Sequence, residues 1–66
     1  MNNTYEDGIY TATIRWIPSV GYRVTVRYPE NGGTTVTTSP KPLPDYFKAF
    51  DWALDKIQGL KEPDHG

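Results

Sequence analysis

A chain of 66 residues folds as one small domain, and its two Trp, five Tyr and two Phe residues supply much of the area it can bury. The sequence contains no cysteine, which excludes a disulfide framework and thiolate chemistry and favours a reducing compartment. The net charge of −1 argues against general affinity for nucleic acid or anionic membrane, and without a spanning run or signal-like start we expect a cytoplasmic protein.

The first half of the chain contains two segments that alternate apolar and polar residues with the period of a β-strand. Residues 1–8 lack this period and predict a flexible arm that ends in a turn. Residues 9–17 and 22–28 share one phase, so we expect an antiparallel hairpin around the turn residues between them. The side chains predicted to point inward are Tyr10, Ala12, Ile14, Trp16, Tyr22, Val24, Val26 and Tyr28.

A second hairpin is predicted at PENGG, residues 29–33, because Asn-Gly is a strong signal for a tight turn. It makes residues 34–38 a third strand and gives a sheet over residues 9–38. This strand is rich in threonine and has only Val36 to direct inward, so we expect it at an edge of the sheet.

The prolines of SPKPLP, residues 39–44, predict a stiff extended connector that leads into a helix. Residues 45–58 repeat at the helical period, with Asp45 as the cap and Gly59 as the terminator. The predicted apolar face consists of Tyr46, Phe47, Phe50, Ala53, Leu54 and Ile57. Residues 61–66 are charged and predict a disordered tail.

These elements predict a two-layer α+β domain, in which one helix covers one face of a three-stranded antiparallel sheet in the order β-β-β-α. Two solvent-facing surfaces follow from this architecture. The exposed sheet face is predicted to carry Thr11, Thr13, Arg15, Arg23, Thr25, Arg27, Thr35 and Thr37. The exposed helix face is predicted to carry Asp45, Lys48, Asp51, Trp52, Asp55 and Lys56.

The sequence gives little support to catalysis. The only histidine is His65, next to the carboxyl terminus, and a preorganised site needs a nucleophile, a base and an orienting group. Asp51 and Asp55 are one helical turn apart but have no His or Cys to complete a transition-metal site. We therefore expect no enzyme activity, no cofactor and no metal.

A DNA-binding hypothesis rests on the threonine and arginine face of the sheet. This face resembles the sheets that integrase amino-terminal domains and a class of plant transcription-factor domains place in the major groove, which implies base reading by Arg15, Arg23 and Arg27. The same residue types are also good exposed strand residues whatever the function. Glu30, the acidic helix start and the acidic tail would oppose phosphates, so direct contact with nucleic acid is not the favoured hypothesis.

A protein-binding hypothesis rests on Trp52, which lies roughly 160° from the centre of the predicted apolar face. Tryptophan is a frequent anchor of protein interfaces, and the charged residues around it would orient a partner. The alternative is that the proline-rich connector or the tail covers its ring.

The segments GIYTATIRW, GYRVTVRYPENGG and DYFKAFDWALDKI, with the chain's length and element order, resemble the small phage-encoded anti-CRISPR proteins, in particular those directed at type I systems. The resemblance implies a non-enzymatic inhibitor in the host cytoplasm that binds a Cas effector on its basic DNA-binding surface. It implies DNA mimicry by carboxylates, although three arginines favour a local acidic patch or a mixed interface. The partner-binding residues expected are Glu30, Asp45, Asp51, Trp52 and Asp55.

A weaker resemblance is to the HicB-type antitoxins, carried by GYRVTV at residues 21–26 and by the helix after a threonine-rich strand. It implies a protein-binding inhibitor as well. Neither resemblance implies a membrane partner, and we expect a monomer or a weak homodimer that pairs through residues 34–38.

Overall fold

Apolar–polar alternation and tight turns produce an antiparallel sheet with one helix across it in the computed structural model, which describes residues 2–62. The sheet has four strands in chain order, not the predicted three. Their bounds are β1 (Asn2–Asp7), β2 (Tyr10–Ile17), β3 (Gly21–Glu30) and β4 (Gly33–Thr38), and the helix is α1 (Tyr46–Lys61). The α+β class with one carboxyl-terminal helix is confirmed.

Asn2–Asp7 form a β-strand, so the prediction of a flexible arm was wrong for these residues. β1 pairs with β2 so that Tyr5 lies opposite Ala12, and the Tyr5 ring packs edge-on against Phe50 at 5.4 Å between centroids. Backbone pairing stabilises this edge strand, and one inward aromatic is enough to orient it. The prediction failed because β1 is otherwise polar and shows no apolar period.

An ion pair joins the end of β1 to the end of α1. Lys61 Nζ lies 3.0 Å from Asp7 Oδ2, and this hydrogen bond, together with the carboxylate charge, raises the pKa of Lys61. A raised lysine pKa means that the contribution of the pair is complete at neutral pH and is lost only as the pH rises through that pKa. Both side chains meet solvent, so the pair orients β1 more than it stabilises the fold.

Register places Val36 on the opposite side of the sheet from its predicted position. Asn31 and Gly32 have φ of 50° and 82° and form a two-residue turn that sets Glu30 opposite Gly33. Val36 therefore lies opposite Arg27 and faces away from the helix, where it is 52% exposed. Thr35 and Thr37, predicted on the exposed face, lie on the helix side instead, because a shift of one residue reverses every side chain.

The connector is bound to β3 beyond the end of β4. The backbone N–H of Ser39 donates to the Val24 carbonyl at 2.8 Å, and the Ser39 hydroxyl accepts from the Val24 N–H at 3.1 Å. Tyr22 and Leu43 then exchange two backbone hydrogen bonds of 2.9 and 2.8 Å. The connector thus satisfies the part of the β3 edge that β4 leaves open.

The helix begins where the sequence predicts and ends three residues later. Asp45 is the N-cap, and its carboxylate accepts from the Lys48 N–H at 2.9 Å. The predicted stop at Gly59 was wrong: α1 continues to Lys61 and Glu62 caps it. Leu60 packs against the core, and this contact offsets the ~1 kcal/mol that an interior glycine costs a helix. The predicted disordered tail otherwise falls on residues 63–66, outside the described residues.

The helix is rotated about its axis by about 60° from the predicted orientation, at 100° per residue. The residues buried against the sheet are Ala49, Ala53 and Ile57, and they meet the core residues Ala12, Ile14, Val24 and Val26. Phe47, predicted in the core, is 79% exposed, whereas Trp52, predicted outward, is partly buried and packs against the core. Alanines on the contact line let the helix backbone lie close to the sheet, which a phenylalanine there would prevent.

Candidate functional site

The solvent side of α1 carries two carboxylates that the fold does not use. Asp51 and Asp55 are exposed and lie one turn apart, about 6 Å along the helix axis. Within residues 2–62 neither forms an ion pair or a side-chain hydrogen bond. We call the exposed surface formed by Phe47, Lys48, Asp51, Asp55 and Gln58 the acidic helix face.

Phe47 is the most exposed large apolar side chain of this surface, at 79%. Its ring contacts only the edge of an aromatic cluster, with Tyr46 at 6.4 Å between centroids. Tyr46 in turn meets Tyr22 at 5.9 Å, and Tyr22 meets Trp16 at 4.9 Å. Trp16 is 44% exposed, so a row of aromatic rings runs from Phe47 on the helix to Trp16 on β2.

Trp52 lines a cleft between the connector and the helix. The cleft has a volume of about 440 Å³ and is lined by Pro40, Trp52, Asp55 and Lys56. An indole ring beside a carboxylate suits a cationic side chain, because the ring face attracts the cation and the carboxylate pairs with it. Trp52 therefore contributes a wall of a cleft, and its packing against the core limits its exposure.

The other predicted partner-binding residues do not join this cluster. Glu30 lies at the tip of the β3–β4 hairpin and accepts a hydrogen bond from the Thr35 hydroxyl at 3.0 Å. That tip lies beyond the carboxyl-terminal end of α1, where the Tyr10 hydroxyl donates to the Leu60 carbonyl at 3.4 Å. Asp45 lies at the opposite end of the helix and caps it. The structure brings together Asp51, Trp52 and Asp55 and separates Glu30 and Asp45 from one another.

Phe47 is the residue that the sequence reasoning missed. Ranking residues by hydrophobicity places both phenylalanines in the core. The available signal was the spacing of Ala49, Ala53 and Ile57 at four-residue intervals, because small residues repeated along one line of a helix are typical of a close contact. A stripe centred on those residues leaves Phe47 outside the core.

The arginines of the alternative hypothesis lie on the sheet face away from the helix. Arg15 and Arg23 are direct partners in the ladder between β2 and β3, and Arg27 lies opposite Thr11. In the part of the chain that the structure describes, none of the three forms an ion pair or a side-chain hydrogen bond. The three arginines therefore lie on the sheet, on the side of the domain opposite the exposed carboxylates of Asp51 and Asp55.

Within residues 2–62, no group of three or more His, Cys, Asp or Glu side chains is arranged to hold a metal ion. The helix is too short and too polar to cross a membrane.

Protein-family models, curated proteins and solved structures offer no match to this chain.

Proposed function

We propose that the protein is a non-enzymatic inhibitor that binds a protein partner through the acidic helix face, and that the partner is a type I Cas effector. The observation that carries the proposal is the exposure of Phe47, at 79%, beside Asp51 and Asp55. Within residues 2–62 these two carboxylates have no ion-pair or side-chain hydrogen-bond partner. The resemblance to anti-CRISPR proteins supplies the class of partner to test first.

The apolar part of the interface supplies affinity. Burying a phenylalanine in a partner pocket is worth roughly 1.5–3 kcal/mol, and aromatic anchors of this kind dominate many interfaces. Phe47 lies in the first turn of α1, where the neighbouring ring of Tyr46 extends the apolar surface. A partner pocket over Phe47 therefore excludes water from a patch wider than one side chain.

The carboxylates determine the specificity for a partner. Asp51 and Asp55 present two negative charges about 6 Å apart on a rigid helix, and such a pair favours a basic surface and raises the rate of encounter with it. A Cas effector carries a basic surface that receives target DNA, so occupation of that surface would block DNA recognition. The mimicry is local, because the arginines lie on the other side of the domain.

Charge reversal of Asp51 and Asp55 tests the proposal. In a gel-shift assay with purified type I surveillance complexes and labelled target duplex, the wild-type protein should abolish the shifted band. The variant D51K/D55K should need at least about 30-fold more protein for the same effect, because it places like charge against the basic surface.

The matched control is E6K/E30K, which changes the net charge equally but alters residues of the sheet. It should inhibit within about threefold of wild type. Asp45 is left unchanged, since removing an N-cap costs about 0.5–2 kcal/mol and would mix folding with binding. Full inhibition by D51K/D55K, or no inhibition of any type I complex by the wild type, would contradict the proposal.

A further inference from the structure

We propose that the sheet face opposite the helix is a second, independent binding surface that takes the sugar–phosphate backbone of duplex DNA. We call it the outer sheet face. In β2 and β3, the residues that alternate with the buried ones point to this face, and the strand pairing shows which residues of β1 and β4 lie beside them. The face consists of Thr4, Glu6, Thr11, Thr13, Arg15, Arg23, Thr25, Arg27, Thr34, Val36 and Thr38.

An unfavourable contact in the free protein carries this inference. Arg15 and Arg23 are Cα partners on adjacent strands, and like charges directly opposite one another destabilise a sheet. The one carboxylate on the face is Glu6, which shares a row with Thr11 and Arg27 and lies two strand spacings, about 10 Å, from Arg27. Two adjacent guanidinium groups without a counter-ion in residues 2–62 are what an anionic ligand would neutralise.

The composition of the face favours a phosphate backbone over an acidic protein. Aromatic rings, which anchor protein interfaces, do not occur at any of the positions named for this face. Apart from Val36, its remaining named residues are threonines, and Thr4, Thr13, Thr25 and Thr38 form one row across all four strands. Arginine and threonine side chains are the usual donors to phosphate oxygens, in interfaces that are polar and hydrated.

The geometry favours a duplex over a single strand. Single-strand binding depends on aromatic platforms for base stacking, and the aromatic residues of the sheet point to the helix side. Arg23 and Arg27 are four residues apart on β3, a span of roughly 13 Å, close to the ~12 Å width of a major groove. The two side chains can therefore contact phosphates on both sides of one groove, without reading sequence.

The two surfaces do not compete for space. The buried layer formed by Ala12, Ile14, Val24, Val26 and the helix separates the outer sheet face from the acidic helix face. A protein bound to the helix leaves the arginines free. This inference therefore stands or falls separately from the proposed function.

Fluorescence anisotropy with a labelled 20-base-pair duplex of arbitrary sequence tests the inference, using the purified full chain. We expect binding at 20 mM salt, with a slope of log K against log salt of about −2 to −3, since each neutralised phosphate contributes about −0.9. The variant R15Q/R23Q should bind at least tenfold more weakly, and its slope of log K against log salt should be less negative by about 2. The control K48Q/K56Q removes the same charge from the helix side and should stay within threefold of wild type.

Three results would overturn the inference: no duplex binding at 20 mM salt, equal losses in R15Q/R23Q and K48Q/K56Q, or tighter binding of a single strand or of polyglutamate than of the duplex. Thermal melting serves as the folding control. R15Q/R23Q should melt no lower than wild type at low salt, because it removes the repulsion between the two arginines. A lower melting temperature would show that the arginines serve the fold, and would also contradict the inference.

Discussion

Replacing Ile57 with alanine should lower the free energy of unfolding by about 2–5 kcal/mol, while replacing Phe47 with alanine should change it by less than about 0.5 kcal/mol. Ile57 is 1% exposed and lies in the core, whereas Phe47 is 79% exposed. The first substitution leaves a cavity between helix and sheet, and the second removes a ring from solvent. Urea unfolding followed by circular dichroism measures both.

Comparing I57A with F47A distinguishes two orientations of α1, one that buries Ala49, Ala53 and Ile57 and one that buries Phe47. A core of this size supplies only about 3–5 kcal/mol of net stability, so I57A should be largely unfolded at the upper end of the range. I57V is the graded version, with an expected loss of about 0.5–1.5 kcal/mol. A loss in F47A as large as that in I57A would mean that the helix buries its phenylalanine edge, and the acidic helix face would lose its apolar anchor.

Replacing Gly21 with alanine should lower the free energy of unfolding by about 3 kcal/mol, combining backbone strain with lost hydrogen bonds. Gly21 has a φ of 126°, and a Cβ there would lie 2.9 Å from the backbone oxygen of Leu43. That oxygen accepts the Tyr22 N–H, so a shift to relieve the clash disrupts the link between connector and β3. Urea unfolding of G21A measures the loss.

The matched control is G32A, because Gly32 also has a positive φ, of 82°, but has nothing within 4 Å of an added Cβ. It should show the strain alone, about 1 kcal/mol. Equal losses in the two variants would show that the close approach to Leu43 contributes nothing to stability.

The features predicted correctly are those that local sequence determines. Alternation in β2 and β3 identifies their buried faces without reference to any other element, and the Asn31-Gly32 turn and the Asp45 cap are short-range signals. For these elements, neighbouring residues carry enough information.

The features missed depend on contacts between distant elements. β1 has one aromatic residue on its inner side and becomes a strand because β2 offers a free edge. The continuation of α1 past Gly59 depends on Leu60 meeting the core. A two-residue turn at Asn31 and Gly32 sets Val36 opposite Arg27 and therefore outward. Assigning the register from the turn length, and not from hydrophobicity, would have predicted this position.

The sequence correctly predicted the exposure of Asp51 and Asp55 but not the positions of Trp52 and Phe47, and the rotation of the helix explains the difference. Asp51 and Asp55 stay outward under either orientation, because they lie far from both possible stripes. Trp52 and Phe47 lie at the two edges of the true stripe, so a rotation of about 60° makes one partly buried and the other exposed. Hydrophobicity alone cannot decide between them, since close packing on a sheet selects for small side chains.

Site-specific photo-crosslinking tests the central claim that the acidic helix face contacts the partner. A photoreactive amino acid is placed at position 51 on the helix or at position 25 on the sheet, and each protein is irradiated with a purified type I surveillance complex. Position 51 should crosslink to a subunit that binds target DNA, excess target duplex should suppress the crosslink, and position 25 should give none. Crosslinking from position 25 alone, or from neither position, would contradict the claim.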